Sequence, residues 1–156
     1  MKILVAETAG FCWGVRRALD QAVDLAKKIE GPVQTFGPLI HNAQVLEELT
    51  EQNIHAVSAV ADVQGGTVLV RAHGVRPEMF EQLEASGAEV FDATCPLVRK
   101  VQKIITKYSN DNYDIVIVGD DHHAEVAGLK GYTSNPCYVV TDEHEAEALP
   151  NFDRVC

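Results

Sequence analysis

The stretch TVLVRAHGVRPEMFEQLEAS (residues 67–86) contains one complete strand-to-helix unit. Its first part, TVLVRA (67–72), is a short apolar run rich in β-branched residues, which is typical of a buried strand. Pro77 suits the first turn of a helix, where the N–H that proline lacks would have no partner. The helix PEMFEQLEAS then stops near Gly87, a residue that commonly ends helices. A strand followed at once by a helix predicts an α/β fold with parallel strands.

The same unit recurs on both sides of this stretch. Predicted strands are ILVAE (3–7), VQTF (33–36), EVFDA (89–93), YDIVIVG (113–119) and CYVV (137–140). Predicted helices are 15–28, AQVLEELTEQ (43–52), the segment after Pro96, HAEVAGLKGY (123–132) and EHEAEALP (143–150), and FDRVC (152–156) resembles the start of another strand. We therefore expect small parallel sheets flanked by helices. Because the pattern begins a second cycle at Pro96, we expect two α/β domains, 1–95 and 96–156.

Composition limits the classes of function. The chain has 156 residues, 46% of them hydrophobic, and a formal net charge of −10, which argues against a general nucleic-acid or anionic-membrane surface. No apolar run approaches the ~20 residues of a membrane span. The opening residues MKILVAETAG lack signal-peptide anatomy, so we expect a cytoplasmic protein. Its four cysteines form no CxxC pair, and structural disulfides are not expected in a reducing compartment.

Chemically capable side chains gather in the turns between strands and helices. They are Cys12, His41, His73, Cys95, His123 and Glu125. In parallel α/β sheets ligands bind where strands end and helices begin. These residues therefore predict a shared site, provided that the fold brings the turns together.

Each candidate also has an ordinary structural interpretation. A lone cysteine is commonly a small core residue, but Cys12 and Cys95 both precede a predicted helix. The backbone N–H groups at a helix N-terminus favour the thiolate, the form that binds iron or zinc. A lone histidine commonly caps a helix or lies in a core. At repeated strand ends, however, imidazole is a suitable ligand for an anion. Glu125 could be solvated or, in a closed pocket, donate a proton.

The remaining candidates favour structural roles. Cys137 fits a strand in a core, and Cys156 is given no role. His55 and His144 lie in polar loop or helix settings and are interpreted as surface residues. Arg16 and Arg17 are interpreted as part of a solvated or salt-bridged helix face, and the acidic run DEHEAEA as another solvated face.

Five segments, taken together, resemble a known family. AGFCWGVRRAL, GPLIHN, VRAHGV, FDATCPLVRKV and GDDHHAEVAG are similar, in order and in spacing, to the motifs of the 4-hydroxy-3-methylbut-2-enyl diphosphate reductase family. The AGFC and DATCP segments are highly specific, and the resemblance covers essentially the whole chain. It implies the terminal reaction of the non-mevalonate isoprenoid pathway.

The resemblance also implies a role for each candidate residue. Cys12 and Cys95 match two of the three family cysteines that hold a [4Fe–4S] cluster. His41, His73 and His123 match histidines that bind the substrate diphosphate. Glu125 matches the proton-delivering glutamate of the family's HPEV motif, which reads HAEV here; this loss of proline removes no catalytic group. His122 matches no catalytic position.

The implied reaction is a reductive dehydroxylation that gives isopentenyl and dimethylallyl diphosphate. The cluster's open iron acts as Lewis acid and electron donor, and a ferredoxin or flavodoxin supplies the electrons. Family chains are roughly twice this length and have three similar α/β domains, of which this sequence resembles the first two. The third cluster cysteine, a Thr-rich motif and a Ser/Asn motif have no match in this sequence. Cys156 comes too early in the order to be that third cysteine. A non-catalytic diphosphate-binding module and a Cys/His zinc protein are the alternatives.

Overall fold

The computed structural model describes residues 1–156 and contains two parallel sheets flanked by helices, as the sequence predicts. The helices are α1 (Trp13–Lys28), α2 (Ala43–Glu51), α3 (Pro77–Ala85), α4 (Pro96–Asn110), α5 (Ala124–Leu129) and α6 (Glu143–Glu147). The strands are β1 (Val33–Phe36), β2 (Ile54–Val57), β3 (Thr67–Val70), β4 (Glu89–Asp92), β5 (Ile115–Val118) and β6 (Cys137–Val140). The α/β fold class is therefore confirmed.

The larger sheet has the strand order β2-β1-β3-β4, and all its strands are parallel. The chain runs from β1 outward to β2 and then returns to β3 on the other side of β1. The carboxyl ends of β1 and β3 therefore flank the point where the strand order reverses, the usual position of a ligand crevice in open parallel sheets. The turns after these two strands carry His41 and His73.

Helices cover both faces of this sheet. One core cluster contains Ala18, Ala22 and Leu25 of α1 together with Val33 and Leu69 of the sheet. The other face packs on α3 through a second cluster that includes Val68, Val70 and Leu83. Because both faces are covered, all four residues of β1 and of β3 are buried. This double cover explains why β3, TVLV, reads as a nearly continuous apolar run. The buried polar residues of β1, Gln34 and Thr35, instead donate hydrogen bonds to the carbonyls of Gly65 and Gly37.

The smaller sheet pairs β5 with β6 in parallel. Its core cluster comprises Val98 and Ile105 of α4, Ile115 of β5 and Leu129 of α5. The predicted strand FDRVC forms only a single parallel bridge between Asp114 and Val155, beside β5. The two sheets fall on either side of residue 95, but the division into domains 1–95 and 96–156 stays a prediction.

Two predicted local features are wrong. ILVAE is not a strand: it has no strand beside it, and Ile3, Leu4 and Val5 are 73%, 80% and 78% exposed. An apolar run becomes a strand only when another strand accepts its backbone hydrogen bonds, and no neighbour does so here. His55 lies in the edge strand β2 rather than in a loop or helix, although its side chain is exposed, as expected of a surface residue. None of the helices combines the length and apolar character that crossing a bilayer requires.

Candidate active site

Four of the six predicted site residues line one cavity of 330 Å³. Cys12, His73, Cys95 and Glu125 share its wall with Gly14, Val15, Ala72, Leu97 and Val98. They come from turns that lie far apart in the sequence and precede or follow different elements. The structure therefore brings both cysteines and the glutamate to one place, as the strand-end positions predict.

The two remaining residues join His73 in a histidine cluster. The ring centroids of His41 and His73 are 5.2 Å apart, and those of His73 and His123 are 5.4 Å apart. The third pair, His41 and His123, lies 6.0 Å apart. One ring comes from each of the turns after β1, β3 and β5. We call these three residues the histidine cluster; through His73 it borders the cavity that contains the cysteines.

Both cysteines are N-caps of long helices. Cys12 precedes α1, of 16 residues, and Cys95 precedes α4, of 15 residues. Neither side chain makes a capping hydrogen bond, so both thiols are free to bind another group. The partial positive charge of each helix N-terminus stabilises a thiolate at these positions. Cys137 lies against the core of the smaller sheet, and Cys156 lies beside β5, so neither reaches the cavity.

The turn that carries Cys95 is held by several hydrogen bonds. The Cys95 backbone N–H donates to the Ala72 carbonyl at 2.9 Å, which links this turn directly to the one that bears His73. The Thr94 backbone N–H and hydroxyl both donate to the Asp92 carboxylate, and Arg99 forms an ion pair with the same carboxylate at 2.6 Å. The Cys95 position is therefore defined from both sides before any ligand binds.

Arg17 also holds this turn, a role that the sequence pattern does not predict. Its Nη1 donates to the carbonyls of Ala93 at 3.3 Å and Thr94 at 3.4 Å. The interpretation of Arg17 as part of a solvated or salt-bridged helix face is therefore wrong, because its guanidinium is partly buried and bonds to backbone carbonyls. Its partners lie 76 and 77 positions away in the sequence, so local pattern contains no signal for the contact.

Gly14 allows α1 and Cys95 to approach each other. A Cβ atom at this position would lie 2.5 Å from the Cys95 Sγ and 3.3 Å from its Cβ. Such a contact is well inside van der Waals distance, so the thiol would have to move. Glycine at this position thus keeps the Cys95 side chain in the cavity.

We expect Gly14→Ala to displace the Cys95 thiol and destabilise the fold by about 1–3 kcal/mol, the usual cost of an overpacked contact. Chemical denaturation and the rate of thiol alkylation measure the two effects. Gly128→Ala is the matched control, because a Cβ on this helical glycine meets nothing closer than 3.7 Å. Equal behaviour of the two variants would show that Gly14 has no special contact with Cys95.

The histidine cluster has unequal electrostatics. The pKa of His73 is lowered from 6.5 to about 4, chiefly by burial and then by the charge of Arg71 and by the two neighbouring histidines. His73 is therefore a neutral imidazole near pH 7, and its Nδ1 is buried without a hydrogen-bond partner. A buried polar atom without a partner is costly unless a ligand satisfies it.

This pKa shift predicts how stability depends on pH. In the unfolded chain His73 titrates near its ordinary value, so between about pH 6.5 and pH 4 the unfolded state binds more protons than the folded state. The free energy of unfolding should therefore fall as the pH is lowered through this window. Denaturant titrations at several pH values measure this slope, which His73→Asn should reduce. An unchanged slope in the variant would contradict the assignment to His73.

Arg71 adds a fixed positive charge beside the cluster. Its Nε is buried without a hydrogen-bond partner, neither ion pair of the structure involves it, and burial lowers the pKa of its guanidinium. The guanidinium packs on Gly37, where a Cβ atom would lie 2.3 Å from the Arg71 Nη1. Gly37 has a φ of +76°, a conformation that itself favours glycine. The site therefore contains an uncompensated cation before any ligand binds.

His123 presents a hydrogen-bond donor. Its Nδ1 accepts from the backbone N–H of Glu125 at 3.3 Å, so the neutral ring carries its proton on Nε2. The same contact connects the histidine cluster to Glu125, whose half-buried carboxyl group lines the cavity. Nε2–H on His123 and the charge on Arg71 both suit an anion and disfavour a bare metal cation.

The fold and this site define an α/β protein with a thiol-lined cavity beside a cluster of three histidines. A sequence profile described as LytB protein matches residues 3–156. The chain therefore belongs to the LytB protein family. Proteins named 4-hydroxy-3-methylbut-2-enyl diphosphate reductase are among its relatives: it is 41% identical to that of Caldanaerobacter subterraneus over 160 residues and 45% identical to that of Anaeromyxobacter sp. over 141 residues.

These matches cover 100% and 90% of this chain but 56% and 50% of those relatives. The chain thus spans about half the length of the curated relatives it matches. The solved reductase from Plasmodium falciparum superposes with a TM-score of 0.88 at 28% identity, covering 93% of this chain and 46% of that one. A second solved reductase, described as the terminal enzyme of the non-mevalonate pathway, superposes with a TM-score of 0.80 at 35% identity. This match covers 94% of this chain and 53% of that one.

Proposed function

We propose that this chain supplies the diphosphate site, the proton donor and two cluster ligands of a 4-hydroxy-3-methylbut-2-enyl diphosphate reductase. The observation that carries the proposal is the convergence of Cys12, Cys95, His73 and Glu125 on one cavity, with the histidine cluster at its border. The family membership agrees with this chemistry. Because relatives are about twice as long, the complete activity is proposed for a chain of their length that contains these residues.

The residues present fit a cluster held at two of its corners. Cys12 and Cys95 face the same cavity from two helix N-termini, and neither thiol is engaged elsewhere. A [4Fe–4S] cluster bound to these thiolates would supply electrons and a Lewis-acidic iron. No third cysteine lines the cavity, since Cys137 and Cys156 lie elsewhere. The free thiols also suit the reducing cytoplasm in which we place the reaction.

The histidine cluster and Arg71 would hold the diphosphate. Nε2–H of His123 donates to a phosphate oxygen, while neutral His73 donates from whichever nitrogen carries its proton. Arg71 supplies a positive charge. Its guanidinium is buried without a counter-ion, and the bound diphosphate would become that counter-ion. Anchoring the diphosphate here directs the remaining, allylic part of the substrate into the cavity beside Glu125. This orientation reduces the entropic cost of the reaction.

Glu125 would hold the proton that the reaction consumes. Conversion of C–OH to C–H and water requires two electrons and two protons, and the carboxyl group is the only acidic side chain on the cavity wall. Protonation of the allylic intermediate at either of two carbons gives the isopentenyl or the dimethylallyl product. A ferredoxin or a flavodoxin would supply the electrons.

Inorganic pyrophosphate tests the anion site on this chain without any cluster. Isothermal titration calorimetry should detect binding, with chemical-shift changes in all three imidazoles of the histidine cluster. Arg71→Gln should weaken binding by about tenfold or more, because charge-assisted hydrogen bonds are the strong ones. Arg154→Gln is the control, since Arg154 stacks on Tyr113 at 4.1 Å, away from the cavity. Absence of pyrophosphate binding would contradict the proposal.

A zinc site is the second candidate, because ligand atoms of the three cluster histidines lie within 4.8 Å of one another. Arg71 opposes a dication at this position. A neutral His123 that binds metal through Nε2 would carry its proton on Nδ1, which could then no longer accept from the Glu125 backbone N–H. Anaerobic reconstitution with iron, sulfide and zinc all present decides between the cluster and the zinc site. Stoichiometric zinc without iron or sulfide, even in a chain of full family length, would favour zinc and contradict the reductase proposal.

A further inference from the structure

Helix α4 has a charge opposite to that of the protein. The chain contains 13 lysines and arginines against 23 acidic residues, yet α4, PLVRKVQKIITKYSN, contains four cations and no acidic residue. The cations are Arg99, Lys100, Lys103 and Lys107, and all four are exposed. The remaining residues therefore have a net charge of −14, and this helix is a concentrated positive feature on an acidic protein.

Three of these cations line one groove. Arg99, Lys103 and Lys107 follow one another at every fourth residue, so they project from the same side of the helix. The groove has a volume of 520 Å³, and Gln102, Thr106, Asn110, Tyr132 and Asp92 complete its wall. Asp92 is already paired with Arg99, and neither ion pair of the structure involves Lys103 or Lys107.

The character of this groove differs from that of a small-molecule pocket. Such pockets are mostly apolar and bury most of the ligand's surface, whereas one of the eight residues lining the groove is hydrophobic. Exposed lysines outside ion pairs instead attract large anionic partners over a distance and release them readily. The Lys107 ammonium group has only the Tyr108 ring, whose centre lies 5.1 Å away, as a neighbour of opposite polarity. The groove therefore suits a transient encounter with a negatively charged macromolecule.

The basic groove is separate from the apolar stripe on the same helix. Leu97, Val101 and Ile104 are 70%, 39% and 39% exposed and lie along a second side of α4, roughly 130° from the basic side at 100° per residue. Leu97 also lines the cavity that contains both cysteines. An apolar surface packed over this stripe would leave the basic groove open to solvent.

We propose that the basic groove of α4 is the docking surface for an acidic electron-transfer protein. The inference rests on the proposed function, because that reaction consumes two electrons for each C–OH group that is converted to C–H. The hydroxyl oxygen leaves as water. A one-electron donor must therefore dock and be oxidised twice in each turnover. Electron-transfer partners use small, polar and weak interfaces, which agrees with the size and composition of this groove.

The position of the groove agrees with that role. Helix α4 begins directly after Cys95, one of the proposed cluster ligands, and Lys103 lies eight residues further on. At 1.5 Å per residue this is about 12 Å along the helix axis. A protein seated on the groove would thus lie close to the cysteine end of the same helix, and none of the three cluster histidines lines the groove.

Titration of this chain with an oxidised acidic [2Fe–2S] ferredoxin tests the docking surface, with calorimetry and backbone chemical shifts as readouts. Lys103→Glu with Lys107→Glu should weaken binding by about tenfold or more, and binding to the unchanged chain should weaken steeply with salt. Lys27→Glu with Lys28→Glu, at the end of α1, is the control with the same change of net charge. It should weaken binding less than about threefold, since only the overall charge changes.

Equal losses in the two double variants would overturn the proposal, because net charge alone would then explain binding. Tighter binding of a single-stranded RNA than of ferredoxin, lost in the α4 variant, would also overturn it in favour of a nucleic-acid surface. Circular dichroism checks that both variants fold, and Lys103→Gln with Lys107→Gln should give an intermediate loss. Pyrophosphate binding should be unchanged in every variant, so a failure of docking is distinguishable from a failure of the proposed anion site.

Discussion

Cys95→Ser should abolish iron and sulfide binding in anaerobically reconstituted protein, and Cys12→Ser should do the same. The expected loss is complete because each thiolate is one of only two cysteine ligands that this chain brings to the cavity. Serine oxygen does not replace a soft thiolate as a ligand for iron–sulfur clusters. The measurement is iron and acid-labile sulfide per chain, together with the visible absorption of the cluster, in a chain of the relatives' length.

Cys137→Ser and Cys156→Ser are the matched controls, because both thiols lie outside the cavity. Both variants should retain the full cluster content. Burial raises the pKa of the Cys137 thiol, which further disfavours the thiolate that a metal requires. Loss of iron in either control, or its retention in the Cys95 variant, would contradict the assigned ligands.

Glu125→Gln should lower turnover by about 10²- to 10⁴-fold, the usual contribution of a positioned proton donor. Glutamine keeps the size of the side chain but has no acidic proton to transfer. The backbone bond from residue 125 to His123 does not involve the side chain, so the anion site should stay intact. Turnover is measured from product formation under a fixed reductant, with pyrophosphate affinity and cluster content recorded in parallel.

Glu147→Gln is the control for this experiment, because Glu147 is an exposed residue at the end of α6 and lies outside the cavity. Its turnover should equal that of the unchanged protein. Unchanged turnover in the Glu125 variant would remove this residue from the proton pathway. Reduced turnover together with reduced cluster content would show instead that Glu125 has a structural role.

The order of strands and helices could be predicted because it is encoded locally. TVLVRA, VQTF and CYVV each contain enough β-branched and apolar residues to specify a strand, and Pro77 and Pro96 both occupy the first position of a helix. ILVAE has the same local character and still is not a strand, since pairing depends on a partner elsewhere in the chain. β2 was missed because IHAV is an edge strand whose two middle residues, His55 and Ala56, are exposed, so it lacks the apolar pattern of a central strand.

Prediction of the site was also partial. That His41 and His73 follow strands was readable from the sequence, but their 5.2 Å separation depends on the adjacency of β1 and β3. Local sequence pattern does not show that the turn after β5 reaches them from the second sheet; for His123 that proximity was implied by the family resemblance. Arg17 and Arg71 were not identified, because their roles depend on a distant backbone carbonyl and on the absence of a carboxylate partner. The roles of the six site residues stay predictions.

The most direct test of the central claim is a product analysis. A chain of the relatives' length that contains these 156 residues, reconstituted anaerobically and given a reductant, should convert 4-hydroxy-3-methylbut-2-enyl diphosphate to isopentenyl and dimethylallyl diphosphate. The account predicts both products, and at least about 10²-fold slower formation of both with Glu125→Gln at comparable cluster content. A protein that carries the cluster and binds pyrophosphate at the histidine cluster, yet forms neither product, would contradict it and identify a non-catalytic diphosphate-binding module.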